Sequence, residues 1–408
     1  MEVRDSFVHY IDMEMPAHDR AMRHKERLPA DLQARLPHFT DIRLEQMQRG
    51  IELNQLFLDE VVGTVDEHPL FPIPDQMQDL ETWRAKSAIR RAREGARAAP
   101  PVLPHNASKT RSTLHQLVRD WSAEGADERA QCYAPILAEL KARLPITDEN
   151  VNQLSVLVPG AGLGRLTLEI AALGYATEGN EFSYQMLFMS NHMLNWRGGP
   201  PASICPYVDN PCNHVGVADM APTWGKTALA SSVDAYVDNP RNHVGVTDMS
   251  GEILVPDINP AELLDPVRTR LPPGQHPKFS MTAGEWLEIY ASQKEQWDCI
   301  VTCFFLDTAP VVMEYIAAIH RLLAPGGVWI NLGPLQYHWA NASGDDERFS
   351  ASVELSWEEV RHIIGTYGFE INKEEMREAT YNCNPRSMLR NVFRTIFFVA
   401  TKFKLKPA

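Results

Sequence analysis

The chain lacks any apolar run long enough to span a bilayer, which excludes a helical membrane anchor within it. Cysteine is scarce, with Cys132, Cys205, Cys212, Cys299, Cys303 and Cys383 scattered along the chain. None of them forms a C-x-x-C pair at zinc spacing, so neither a metal site nor a secreted disulfide framework is expected. No apolar signal segment follows Met1-Glu2-Val3-Arg4-Asp5. The expected location is therefore cytoplasmic, with the nucleus as a second compartment, and the sequons Asn106-Ala107-Ser108 and Asn341-Ala342-Ser343 read as chance matches. Positive charge is in deficit: 39 Lys and Arg stand against 53 Asp and Glu, a net charge of −14. That balance speaks against broad binding to a phosphate backbone, so no nucleic-acid partner is expected, while a small cationic substrate fits.

What is present is enough apolar residue, 44%, to bury a large core. Residues 1 to about 105 read as a helical N-terminal region. Ile42, Leu44, Met47, Ile51, Leu53 and Leu56 recur at helical spacing, an arginine-rich stretch runs from Ala85 to Arg97, and Ala98 to Pro104 forms a stiff proline linker. Charge patterning favours a solvated helix face for the arginines over a partner contact. A second helical stretch covers Ser112 to Leu144. Beyond it the pattern alternates. Buried strands are expected at Ser155 to Val158, Cys299 to Leu306, Val328 to Leu332 and Phe393 to Ala400, with helices between them, notably Val311 to Leu323. Residues 106–408 thus read as one α/β domain with a doubly wound, mostly parallel, Rossmann-like sheet. Within it Tyr207 to Met220 nearly recurs as Tyr236 to Met249. Two units are too few for a solenoid, so this segment, about 207–249, reads as a local duplication in a loop, which costs little entropy.

Four features carry chemistry. Gly160-Ala161-Gly162-Leu163-Gly164 follows a strand and opens a helix, letting backbone approach a ligand closely. Its G-x-G-x-G spacing differs from the dinucleotide fingerprint, which disfavours a dehydrogenase; the shorter form is typical of methyltransferases. Glu181, at the end of the next strand, stands at the distance where an acid accepts both hydroxyls of a ribose; an exposed loop glutamate is the blander role. Leu322 to Ile330 reads as a helix end, a Pro-Gly-Gly turn and a buried strand. Trp297 to Ala309 is a strand ending in Asp307, where a doubly wound sheet places ligand contacts, although a helix cap before Thr308 competes for that residue.

Taken in order, Gln116 to Ser122, Val158 to Leu166, Gly174-Tyr175, Gly179 to Glu181, Met186 to Phe188, Phe279 to Gly284, Trp297 to Cys299, Thr302 to Phe305, Asp307 to Ala309 and Pro325 to Leu335 resemble the carnosine N-methyltransferase family over roughly residues 25 to 405. The resemblance implies a class I methyltransferase domain that uses S-adenosylmethionine to methylate an imidazole nitrogen of carnosine, β-alanyl-histidine, giving anserine. It implies that Gln116, Arg119, Gly160, Gly162, Glu181, Gly284, Glu285, Trp286 and Cys303 line the cofactor site, and that Asp307, His338 and Tyr381 line the substrate site. On its own, His338 would read as structural and Tyr381 as an ordinary packed residue.

Three departures stand out. Glu285-Trp286 replaces the family's Asp-Phe, the duplication enlarges the loop leading to Val255 to Pro260, and the N-terminal region reads as truncated. The expected partner is a small molecule or peptide bearing an imidazole, and a homodimer is allowed for. A methyltransferase for protein histidine or another small molecule, and a non-catalytic interaction subunit of the same fold, are the alternatives. The expected mechanism is in-line displacement, in which the protein aligns an unprotonated ring nitrogen and excludes water.

Overall fold

The computed structural model describes residues 2–36, 39–66, 104–208, 251–340, 352–384, 387 and 390–403. The arginine-rich stretch, the linker through residue 103 and the tandem repeat beyond Tyr207 and Val208 lie outside the described residues.

The N-terminal region is helical as expected: α1 (Glu2–Val8), α2 (Tyr10–Glu26), α3 (Ala30–Gln33) and α4 (Phe39–Asp66). Ile51, Phe57 and Leu58 of α4 are buried with Phe7 and Tyr10 of the first two helices. The same core takes in Leu114, Leu117 and Trp121 from the next helix, α5 (Pro104–Trp121).

The helical stretch expected over Ser112 to Leu144 is made of two helices, α5 and α6 (Ala126–Arg143). The break lies at Ser122 to Gly125. A Cβ on Gly125 would sit 2.1 Å from the Val118 carbonyl oxygen, so the close approach of the two helices requires glycine there. The Arg129 guanidinium then donates to the carbonyls of Arg119 (2.7 Å) and Ser122 (2.8 Å), groups the end of α5 leaves unpaired.

Next come β1 (Ser155–Pro159), α7 (Arg165–Ala172), β2 (Ala176–Glu181), α8 (Tyr184–Leu194), the short ribbon β3 (Ala202–Ile204) with β4 (Ile253–Val255), and α9 (Pro260–Arg268). The chain continues through β5 (Phe279–Ala283), α10 (Trp286–Ile289), β6 (Trp297–Cys303), α11 (Val312–Leu322), β7 (Leu323–Gly333), α12 (Trp357–Thr366), β8 (Phe369–Thr380) and β9 (Val392–Lys402). The main sheet has the order β5-β2-β1-β6-β7-β9-β8. Its first five strands are parallel, and β9 runs antiparallel to both neighbours. The expected doubly wound α/β architecture is what forms.

Period-two alternation explains the two covered faces. Leu157, Ile300 and Trp329 point to the side where Ile316 and Ile319 of α11 and Val360 and Ile364 of α12 pack. Val156, Val158, Cys299, Val301 and Ile330 point to the other, against Tyr133, Ile136 and Leu140 of α6 and Leu166 and Ile170 of α7. Strands buried on both faces must be apolar at every position, which is why these were legible.

Two strands of the main sheet, and the short β3-β4 ribbon, are not evident in the sequence pattern. β8 alternates and is rich in Glu, as suits an edge strand with one solvated face. β5, at the other edge, is only partly buried. The expected Pro-Gly-Gly turn lies inside β7: Trp297 pairs with Leu323 and Cys299 with Val328, so Ala324 to Gly327 bulges out of the ladder.

The winding reverses at β1, whose neighbours β2 and β6 lead to opposite halves of the sheet. The crevice beyond the carboxyl ends of β1 and β6 is the topological switch point, where such sheets bind ligands.

Candidate active site

The glycine turn sits at that crevice. Gly160, Gly162 and Gly164 all have positive φ, +66°, +56° and +81°, a conformation that favours glycine. Space demands glycine as well. A Cβ on Gly160 would lie 2.3 Å from the Phe305 ring, and one on Gly162 would lie 2.6 Å from the Gln116 amide nitrogen. The turn is thus closed in by α5 on one side and by the end of β6 on the other.

Glu181 ends β2 beside the turn. Its Oε2 accepts the Gly162 N–H at 2.8 Å, and Oε1 accepts the N–H groups of Phe182 and Ser183, each at 2.8 Å. Burial pushes its carboxyl pKa up, against these three amides, which favour the carboxylate. A carboxylate has about four acceptor sites, so one site, on Oε2, remains for a hydroxyl beside the turn. Neighbouring Asn180 donates to the carbonyls of Thr282 (3.2 Å) and Gly284 (3.1 Å), which fixes the end of β5 to the end of β2. Gly284 there has φ +136°. Glu285 caps α10 by accepting the Glu288 N–H at 2.9 Å. Trp286 turns inward. It is 3% exposed and packs edge-on against Phe305 and Tyr315.

A second group lies along the other wall. Arg119 is buried and holds the adjacent Asp120 through Nε at 2.7 Å. Asp120 also accepts the Tyr133 hydroxyl at 2.7 Å. The Arg119 guanidinium lies 4.5 Å from the centroid of the Tyr381 ring, and the Phe304 ring is tilted against the same ring at 4.6 Å. Phe304 follows β6 with φ +52°, a backbone conformation side chains seldom adopt. Cys303 precedes it, and burial pushes its thiol pKa well up. The five described cysteines are free thiols.

Asp307 follows in a single 3-10 turn, Leu306–Thr308. It is 2% exposed. Its Oδ2 accepts the Gln336 N–H at 2.9 Å, and its carbonyl accepts the His338 N–H at 3.1 Å. Its side chain caps neither its own turn nor α11: the N-cap positions of the two, Phe305 and Val311 respectively, make no side-chain cap bond, so the competing cap role falls away. Burial pushes the Asp307 pKa up, while the Gln336 amide and the charge of His338 favour the carboxylate. His338 is exposed, next to the buried Tyr337.

Nine of the twelve expected residues gather in three adjoining sets, with Gly284, Glu285 and Trp286 standing apart at the end of β5 and the start of α10. Gln116, Gly160, Gly162 and Glu181 surround the turn; Arg119, Cys303 and Tyr381 form the second wall; Asp307 and His338 form one bonded pair. Phe304 and Phe305 join the sets, Phe305 over Gly160 and Phe304 on Tyr381. Asp120, Tyr133, Glu128 and Gln131 lie outside the set of site residues expected from the sequence. Glu128 carried a signal: it heads the i, i+4 stripe Glu128, Cys132, Ile136, Leu140, all buried, and an acid in line with an apolar stripe calls for a partner. Among the described residues no group of three or more His, Cys, Asp or Glu is placed to hold a metal ion, and no helix is long and apolar enough to cross a membrane.

Strand order, glycine turn and the acid closing β2 together define an S-adenosylmethionine-dependent methyltransferase of class I fold. The Phe305 ring leaves room only for glycine at position 160, the positive φ of Gly162 favours glycine there too, and Glu181 keeps an acceptor site beside them, so the residues present fit that cofactor. The family model for carnosine N-methyltransferase matches residues 97–222 and 225–404, and the chain belongs to that family. The Mus musculus carnosine N-methyltransferase is 36% identical over 386 residues, covering 94% of this chain and 81% of the relative. The Schizosaccharomyces pombe carnosine N-methyltransferase is 34% identical over 305 residues, covering 73% and 72% respectively. The chain is thus an S-adenosylmethionine-dependent N-methyltransferase.

Proposed function

We propose that this enzyme methylates an imidazole ring nitrogen of carnosine, giving anserine, or of a related histidine-containing peptide. The observation that carries the reading is the locked pair Asp307 and His338. A buried carboxylate is held at the carboxyl end of β6 by the Gln336 N–H, and the His338 backbone is bonded to the same residue. When bound, the cofactor supplies an electrophilic methyl. Gly160 and Gly162 admit its backbone-facing part, Glu181 takes a ribose hydroxyl, and Gln116, Arg119, Gly284, Glu285 and Cys303 edge the same space. Trp286 supports that edge from inside the core.

On the substrate side, Asp307 accepts the N–H of the imidazole nitrogen that is not attacked. This fixes the tautomer, leaves the other nitrogen's lone pair free, and stabilises the cation that grows as the N–C bond forms. Tyr381 and His338 orient the dipeptide. Phe304 and Phe305 exclude water from between the two sites, which strengthens the charge contact. The test is mass spectrometry of carnosine incubated with enzyme and S-adenosylmethionine, with a protein extract run in parallel. A methylated dipeptide whose label lies on the ring supports the reading. Methylation confined to protein, with carnosine unchanged, overturns it.

A further inference from the structure

Tyr381 lies just beyond the last residue of β8, where the chain leaves the sheet. Its ring is held between the Arg119 guanidinium and the Phe304 ring. Neither contact fixes the backbone beneath the ring. The turn that follows is strained, since Asn382 has φ +52°. Such a turn persists only where its surroundings over-determine it.

Those surroundings come from α6. Glu128 is 8% exposed and uses both carboxylate oxygens on the turn: Oε2 accepts the Asn382 N–H at 3.0 Å and Oε1 accepts the Cys383 N–H at 2.9 Å. One helical step on, Gln131 accepts the Thr380 N–H at 2.9 Å through its side-chain oxygen. The residues before and after Tyr381 are thus fastened to one face of one helix. On the far side the Tyr207 hydroxyl donates to the Cys383 carbonyl at 3.2 Å. The start of α6 is itself seated on the end of α5, two residues beyond Arg119, through Gly125 and Arg129.

We propose that Glu128 is a positioning residue for the substrate side of the site, acting through Tyr381. The proposal rests on the reading of Tyr381 as a substrate contact. Two amide N–H groups converge on one buried carboxylate, each on its own oxygen, so both bonds in this geometry use the two acceptor oxygens of the acid. Glu128→Gln keeps shape and volume but turns an amide NH2 toward one of the two donors. The turn then loses a charge-assisted bond and gains a repulsive contact, and the Tyr381 ring is no longer set against Phe304.

The experiment measures kcat and KM for carnosine, and the S-adenosylmethionine Kd by titration, in wild type, Glu128→Gln, Tyr381→Ala and the double variant. Glu128→Gln is expected to raise KM for carnosine or lower kcat so that kcat/KM falls about tenfold or more. The cofactor Kd stays at the wild-type value. In the Tyr381→Ala background the same change costs nothing further, because its effect passes through that ring. Additive losses, or a Glu128→Gln enzyme with wild-type kcat/KM, overturn the proposal while leaving Tyr381 in the site. Wild-type turnover by Tyr381→Ala instead removes the substrate reading on which it rests. If Glu128→Gln does not fold, Gln131→Met, which removes the bond before the ring and spares the acid, is put through the same cycle with the same outcomes.

Discussion

Glu181 Oε2 accepts the Gly162 N–H at 2.8 Å, so the acid that closes β2 is bonded directly to the turn that closes β1. Two neighbouring strands of the sheet thereby present one rigid corner at the switch point. Glu181→Ala removes the proposed ribose acceptor and the brace on the turn together. Losing a charge-assisted bond costs about 1.5–3 kcal/mol, so the S-adenosylmethionine Kd should rise roughly ten- to hundredfold. Calorimetric titration measures this, and thermal unfolding checks that the variant is folded. An unchanged Kd removes Glu181 from the cofactor site.

Asp307→Asn should separate chemistry from binding. The Asn oxygen still accepts the Gln336 N–H, so the local turn is preserved. The charge proposed to face the imidazole is gone, and the amide can present its NH2 to the ring and favour the wrong tautomer. Removing one such contact raises the barrier by roughly 3–4 kcal/mol, two to three orders of magnitude in rate. Single-turnover methylation of carnosine at saturating cofactor is the measurement. A rate equal to wild type means that Asp307 does no more than hold Gln336.

His192 gives a pH dependence of stability. It is buried on α8, edge-on to Phe57 at 5.6 Å, and its Nδ1 has no hydrogen-bond partner. Burial lowers its pKa from 6.5 to about 4. Protons therefore bind the unfolded chain first. The contribution is whole above pH 6.5 and is lost progressively as pH falls towards 4, by about 3 kcal/mol for this group. Urea unfolding at pH 7.5 and 5.0 should show about 2 kcal/mol of that loss in wild type and a shallower drop in His192→Leu. Parallel pH curves for the two proteins count against it.

Deleting Tyr207 to Ala235 should leave a folded, active protein. Tyr207 and Val208 open the first copy, with Val208 buried and the Tyr207 hydroxyl on Cys383. The deletion brings Tyr236 and Val237, the same two residue types, to that place. Cooperative unfolding and carnosine turnover within about twofold of wild type are expected, as for loop changes that leave the core intact. Loss of the cooperative transition would show that the second copy cannot replace the first.

The alternation of buried strands and helices determined the layered α/β architecture, because strands covered on both faces have to be apolar throughout. The glycine spacing and the acid after the next strand determined the cofactor class, since both follow from local backbone demands at a strand end. The sequence alone left β8 and β5 unread, since edge strands bury too little to show a core pattern. It also left open whether Asp307 was a cap or a ligand contact. Only the tertiary structure brought Gln336 and His338 onto Asp307, and α6 onto the turn after Tyr381. Glu128 and Asn382 are far apart in the chain, and no local propensity links them. Their bond exists because α6 packs across the sheet beside the end of β8, and that placement is set by the whole core.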